Sequence, residues 1–275
     1  NINYEATDIS QLAADIKLDL QDTQPSSVSL DGSGLVLANQ PVDSVQLTLR
    51  GYVRDHSIRL AVSQPEDAQT AARLALEATG GLVDAQWRGT LRELSMAARP
   101  VGDWRLEKPF ALTAGASSAG AEPFCLRQSR GASLCAEGDW QAQGKTSGEF
   151  SLSKLALSQF AEYFPASIVR LGGELSAEGK LNQLNDTDAR ISARVSPGEL
   201  VVQDASGEAQ QLNHGGLELE ANIVDKGARG KLRSQVGTTT LEASARLPDL
   251  LAVTDKNRAR LEGELQLSAP DLELI

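Results

Sequence analysis

The chain has 275 residues, 41% of them apolar but only 4% aromatic, and 37 acidic against 26 basic side chains leave a net charge of −11. That balance excludes a partner gripped through its phosphate backbone, which demands a basic face, and excludes adhesion to anionic headgroups through charge. No apolar run approaches the ~20 residues of a membrane-spanning helix, and with neither an initiator Met nor a signal-peptide pattern at Asn1 the chain reads as a fragment of a longer one.

The first element is a period-two segment over 13–20. Ile16, Leu18 and Leu20 alternate with Asp15, Lys17 and Asp19, as a half-buried strand requires. Val28, Leu30, Leu35 and Leu37 follow, interrupted by Gly32-Ser33-Gly34, expected to be a turn or bulge. Val45, Leu47, Leu49 and Gly51 make the next strand, then Ile58, Leu60 and Val62. Residues 66–78 have helical propensity, but the spacing of Leu74, Leu76 and Ala78 favours a loop and then a strand, ending in a turn at Gly80-Gly81. Trp87, Gly89 and Leu91 alternate, Leu94 and Met96 resume after a break, and Trp104-Leu106 and Phe110-Leu112 lead into a small-residue loop over 114–121.

The only two cysteines lie in the segment 124–140, symmetric about Arg130. A loop of Ser129, Arg130 and Gly131 would put Gly131 at the left-handed position and set Cys125 opposite Cys135, at a separation a disulfide spans. The other reading is a pair of buried thiols. A disulfide implies an oxidising compartment such as the periplasm or the cell exterior.

After Phe150, Leu152, Leu155 and Leu157, residues 158–164 are the best helix candidate, with Ser158 as N-cap and Pro165 as the stop. Strand patterns then continue to the end through Leu175 and Leu181, Ile191 and Val195, Leu217 and Leu219, Leu241, and Leu265. Gly215-Gly216 precedes one strand and Gly237 turns into another. Strands arrive about every 12 residues with almost no helix between them, so the fold is all-β with a mainly antiparallel, meandering sheet. Residues 1–275 read as one continuous array.

Charged positions such as Arg59, Glu77, Glu178, Lys180, Glu218 and Glu262 fall opposite the aliphatic ones, so one face is solvated and the other needs cover. A second sheet would make a dry sandwich core. One long sheet, curled at its in-strand glycines, would instead enclose an apolar groove. On the groove reading the lining residues are Ile16, Leu18, Leu47, Leu49, Leu60, Leu76, Trp87, Leu91, Leu126, Leu134, Leu175, Leu181, Ile191, Val195, Leu217, Leu219, Leu241 and Leu265.

Several segments carry a resemblance. Trp-Arg-Gly-Thr-Leu from 87, Gly-Asp-Trp-Arg-Leu from 102, Phe-Cys-Leu from 124 and Ser-Leu-Cys-Ala-Glu-Gly-Asp-Trp over 133–140 follow one another in an order that resembles the TamB family, within the wider AsmA-like group. The stretches 51–60, 157–165 and 171–179 resemble it too, and residues 82–181 match best. The resemblance implies an elongated β-taco with an apolar interior, in the periplasm of a Gram-negative bacterium, in a protein anchored to the inner membrane. It also implies a role in outer-membrane biogenesis. Phospholipid acyl chains would be the cargo conducted between the membranes; alternatively the surface assists assembly of outer-membrane β-barrel proteins. A TamA-like barrel partner and the membrane attachment would both act through regions outside 1–275.

The residues offer no catalytic constellation. His56 and His214 read as ordinary turn residues, no cluster has metal-ligand spacing, and the cysteines suit a disulfide better than a nucleophile. The expectation is a protein that is not an enzyme and carries no cofactor, metal or nucleic acid.

Overall fold

In a computed structural model, residues 8–37, 40–65, 71–183, 187–204, 206–224, 227–247 and 262–268 are described. The chain divides into two units, residues 1–130 with 139–143, and residues 131–138 with 144–275.

The first unit contains β1 (Asp8–Lys17), β2 (Ser26–Leu37), β3 (Gln40–Tyr52), β4 (Asp55–Ser63), β5 (Ala72–Val83), β6 (Gln86–Ala98), β7 (Gly102–Leu106), β8 (Phe110–Gly115) and β9 (Ser118–Gln128). From β1 to β6 each strand pairs antiparallel with the next. One end of β6 then pairs with β7 and the other with β8, so those two short strands act as one strand broken at Glu107–Pro109. Pro109 lacks the amide an unbroken ladder would need.

Strand β10 (Ser133–Gln141) follows, and then the second unit runs through β11 (Thr146–Ala156), a 3₁₀ helix (Leu157–Tyr163), β12 (Ile168–Leu171), β13 (Glu174–Gln183), β14 (Thr187–Val195), β15 (Gly198–Gln203), β16 (Ala209–Val224), β17 (Gly227–Val236), β18 (Thr239–Leu247) and β19 (Glu262–Ser268). All their pairings are antiparallel. The 16-residue β16 spans β14 and β15, which lie end to end with a break at Ser196-Pro197. Next to that break, β12 and β13 part at Gly172-Gly173, and β16 shifts register between His214 and Gly216. Strand backbones press together along this crease. A Cβ on Gly198 would come within 2.6 Å of the Gly172 carbonyl carbon, and one on Gly216 within 2.5 Å of the Val195 oxygen.

The all-β, antiparallel fold is as the alternation requires, but punctuation differs from the sequence reading. Gly80-Gly81 is not a turn. Strand β5 runs on to Val83, and the turn falls at Asp84-Ala85, whose φ values of 52° and 60° are the left-handed pair of a tight hairpin. The glycines serve close approach instead, since a Cβ on Gly81 would lie 1.9 Å from the Arg54 oxygen. Likewise Gly215-Gly216 lies inside β16, and 114–121 is mostly strand around a short turn at 116–117. The helix after β11 is 3₁₀ with Ala156 at its N-cap and no side-chain cap, so Ser158 does not cap an α-helix; seven residues between a strand and Pro165 are too few to hold α-helical geometry. Strand β1 ends at Lys17, leaving Leu18 and Leu20 in the loop that follows. The two cysteines are joined in a disulfide, and the strands flanking their loop end at Gln128 and begin at Ser133, with Gly131 at φ 103°.

Candidate functional site

Directly paired residues of antiparallel strands project to the same side, so each register line reads out one face. In the first unit one line runs Ile16, Val28, Leu49, Ile58, Ala78, Leu91 and Phe110. The next runs Ala14, Leu30, Leu47, Leu60, Leu76 and Leu94. A third runs Leu12, Gly32, Val45, Val62, Leu74, Met96 and Trp104.

The second unit repeats the pattern. Leu155, Leu175, Val195, Leu217, Ser234, Leu241 and Leu267 form one line. Leu152, Ala177, Ala193, Leu219, Leu232, Ala243 and Leu265 form the next, and Phe150, Gly179, Ile191, Ala221, Gly230, Ala245 and Gly263 a third. Leu181 lies on a fourth, with Ala189 and Ile223.

Two β-bulges keep these faces apolar. Leu91 and Leu94 are three apart, so strict alternation would put them on opposite sides. The ladder pairs Ala78 with Leu91 and Glu77 with Glu93, leaving Arg92 as an extra residue that restores the phase. In β11 the register shift between Leu152 and Leu155 does the same, with Lys154 at φ 58°.

Most of these side chains are half-buried, and Ala78, Leu91, Trp104, Phe110 and Leu155 are buried. In a sandwich the facing sheet would bury them, yet Ile191 is 40% exposed and Leu265 is 70% exposed. A packed patch lies in the first unit around Ala78, Leu91 and Phe110, against Leu76, Trp87, Leu94, Leu106, Leu112, Ala121 and Phe124. There the Phe110 and Phe124 rings stack with centroids 4.3 Å apart.

The opposite side of the strands in each unit is charged. Arg59 faces Glu77, Lys180 faces Glu149, and Arg194, Glu218, Arg233 and Glu242 stand in one line of alternating sign. The Arg59 guanidinium, hydrogen-bonded at 2.8 Å, holds the Glu77 carboxyl below its usual range, and the Glu149 carboxylate raises Lys180.

Of the residues read from sequence as groove lining, Ile16, Leu47, Leu49, Leu60, Leu76 and Leu91 share one face in the first unit, and Trp87 closes one end of it. Leu126 is buried opposite Leu106. Leu134 is half-buried on β10, and Leu18 is exposed in a loop. Leu175, Leu181, Ile191, Val195, Leu217, Leu219, Leu241 and Leu265 share the apolar face of the second unit. The histidines were misread as ordinary turn residues. His56 is buried and accepts from the Trp87 indole at 3.0 Å, and His214 is half-buried with Nε2 2.9 Å from the Gly172 oxygen. Only the in-strand glycines hinted at this, since a ring lying across a strand needs neighbours without side chains.

Among the described residues no group of three or more His, Cys, Asp or Glu converges as a metal site. The arrangement defines an all-β protein whose candidate site is an apolar sheet face. The chain belongs to the TamB family: the family model described as TamB, N-terminal domain, matches residues 1–275. No curated protein and no solved structure matches it.

Proposed function

We propose that the apolar faces line a groove that conducts phospholipid acyl chains in the periplasm, as part of outer-membrane biogenesis. The observation that carries this reading is the aliphatic face, half-buried in most places and exposed at Ile16, Phe150, Ile191, Leu219, Leu265 and Leu267, repeated line after line with a charged face behind it. Acyl chains need hydrocarbon walls rather than polar contacts, at about 0.8 kcal/mol per CH₂ buried. Similar side chains on successive lines give similar affinity at successive positions, which favours sliding, whereas one deep pocket would trap. Family membership supports the setting, because TamB is an envelope protein of Gram-negative bacteria, forms a module with TamA and has a role in outer-membrane biogenesis. Contact with TamA and anchoring in the inner membrane belong, on this reading, to other parts of the protein.

The test is a photoreactive residue placed at Leu175, Leu219 or Leu265 in cells. Phospholipid adducts are expected at all three, with none from the outward neighbours Glu218 and Glu264. Adducts with unfolded barrel strands in place of lipid would replace the conduit with a chaperone-like surface, and absence of lipid adducts at all three positions would overturn it.

A further inference from the structure

The two histidines use Nε2 in opposite roles. At His56 the Trp87 indole N–H, which can only donate, lies 3.0 Å from Nε2, so that nitrogen is an acceptor and carries no hydrogen. The ring hydrogen is then on Nδ1, which donates to the Tyr52 carbonyl at 3.0 Å. At His214 Nε2 lies 2.9 Å from the Gly172 oxygen, which can only accept, so this Nε2 is the donor. A second proton leaves the His214 bond in place. On the buried His56 ring it would set one N–H against another and leave the Trp87 donor without an acceptor.

That bond holds the Trp87 ring at one end of the first unit's apolar face. Ser26, Gly51, His56, Gly80, Gly89 and Leu112 form one register line, and the ring lies across its last two glycines. A Cβ on Gly80 would meet the ring Cζ2 at 2.8 Å, and one on Gly89 would meet its Cη2 at 2.5 Å. The ring also packs against the cluster of Ala78, Leu91 and Phe110. Apart from His56, no residue of this line is ionisable, and none is on the neighbouring line from Val28 to Phe110. The surrounding turns carry Arg54 and Asp55, Asp84, Arg88, the Tyr52 phenol, and Asp22, which accepts from the Val53 amide at 2.6 Å. Trp87 and Tyr52 occupy both imidazole nitrogens, so neither is left for those side chains.

We propose that His56 and Trp87 form a proton-released catch on this end of the apolar face. While His56 is neutral, the indole covers Gly80 and Gly89. Once both imidazole nitrogens are protonated, the indole loses its acceptor, leaves its seat and bares that end of the face. The catch does not depend on what the apolar face carries. The test is an NMR titration of the chain from about pH 8 to about pH 5, the range in which an imidazole takes up its second proton, following the tryptophan indole N–H signals and both imidazoles. The Trp87 signal should shift with the midpoint of His56, not that of His214, and its nuclear Overhauser contacts to the Gly80 and Gly89 α-protons should be lost. The Trp104 indole, which donates to the Val101 carbonyl at 2.8 Å, should not move. In His56→Gln, whose amide oxygen accepts throughout the range, Trp87 should keep its signal and its contacts. Glycine contacts that persist while His56 titrates overturn the proposal, as does a His56 ring that does not titrate in this range. A Trp87 shift that survives in His56→Gln would assign it to a carboxylate of the turns instead. Loss of the Trp87 and Trp104 signals together would mean unfolding rather than release of one ring, and would overturn the catch as well.

Discussion

The Asp19 carboxylate organises the loop after β1 by accepting from the Gln21, Thr23 and Gln24 amides at 2.9, 2.9 and 2.6 Å and from the Thr23 hydroxyl at 2.6 Å. The Thr23 hydroxyl, followed by the Gln24 and Gln21 amides, lowers its pKa. Asp22, at φ 62°, accepts from the Val53 amide at 2.6 Å and ties the loop to the β3–β4 turn. A group whose folded pKa is depressed contributes stability above its unfolded pKa, near 3.9, and loses that contribution as pH falls through the folded value. In an acid titration followed by NMR, the Gln21, Thr23 and Gln24 amides should therefore move together, with a midpoint below that of an unstructured aspartate. Asp19→Ala should abolish the transition and leave the β3–β6 resonances in place. A midpoint at or above the unstructured value would mean the carboxylate does not hold the loop. The residue type hinted at this, because Asp is favoured where a side chain caps nearby amides. The alternation of Leu18 and Leu20 nevertheless pointed to strand, since periodicity registers apolar spacing and not which backbone amides lack a partner.

At the level of elements, strand existence and facing were legible because the apolar period of two survives in nearly every segment. What was not legible was where the ladder changes phase. Leu91-Arg92-Glu93-Leu94 reads as a lapse in pattern, yet Arg92 is the residue that keeps Leu94 and Met96 beside Leu76 and Leu74. It is held there by its own Nε, 2.8 Å from the Thr79 hydroxyl. Gly80 and Gly81 were misread for a related reason: glycine both turns chains and admits close backbone contact, and sequence does not separate the two uses. The bulge supports a sharp prediction. Deleting Arg92 forces a choice between breaking the β5–β6 ladder and turning Leu94 and Met96 to the charged side, because a one-residue slip inverts every side chain beyond it. The deletion should destabilise the first unit by more than about 3 kcal/mol in urea, whereas Arg92→Ala, which keeps the extra residue, should cost about 1 kcal/mol. Similar losses for both would show that the guanidinium, not the inserted backbone, sets the phase. The disulfide is a different device: closing a loop of nine residues between Cys125 and Cys135, it contributes on the order of 2–3 kcal/mol through the unfolded chain.

For the molecule as a whole, two kinds of surface compete to explain both stability and binding. The charged side supplies pairs such as Arg59–Glu77, Arg194–Glu218 and Arg233–Glu242, whose cations are about 70% exposed. Each such pair contributes only about 0–1 kcal/mol, and salt screens it. The chain also carries a net charge of −11, whose self-repulsion opposes the folded state and is also screened by salt. The apolar side contributes through burial, which salt does not weaken. Raising sodium chloride to about 1 M, where the screening length is ~3 Å, should therefore leave the urea midpoint unchanged or higher. Uptake of an alkyl-chain fluorescent probe should be undiminished under the same conditions. A midpoint that falls with salt would make the ion pairs the principal support of the fold. A probe that is released by salt would mean that headgroup charge, rather than hydrocarbon contact, holds the ligand, and the acyl-groove reading would fail on that measurement.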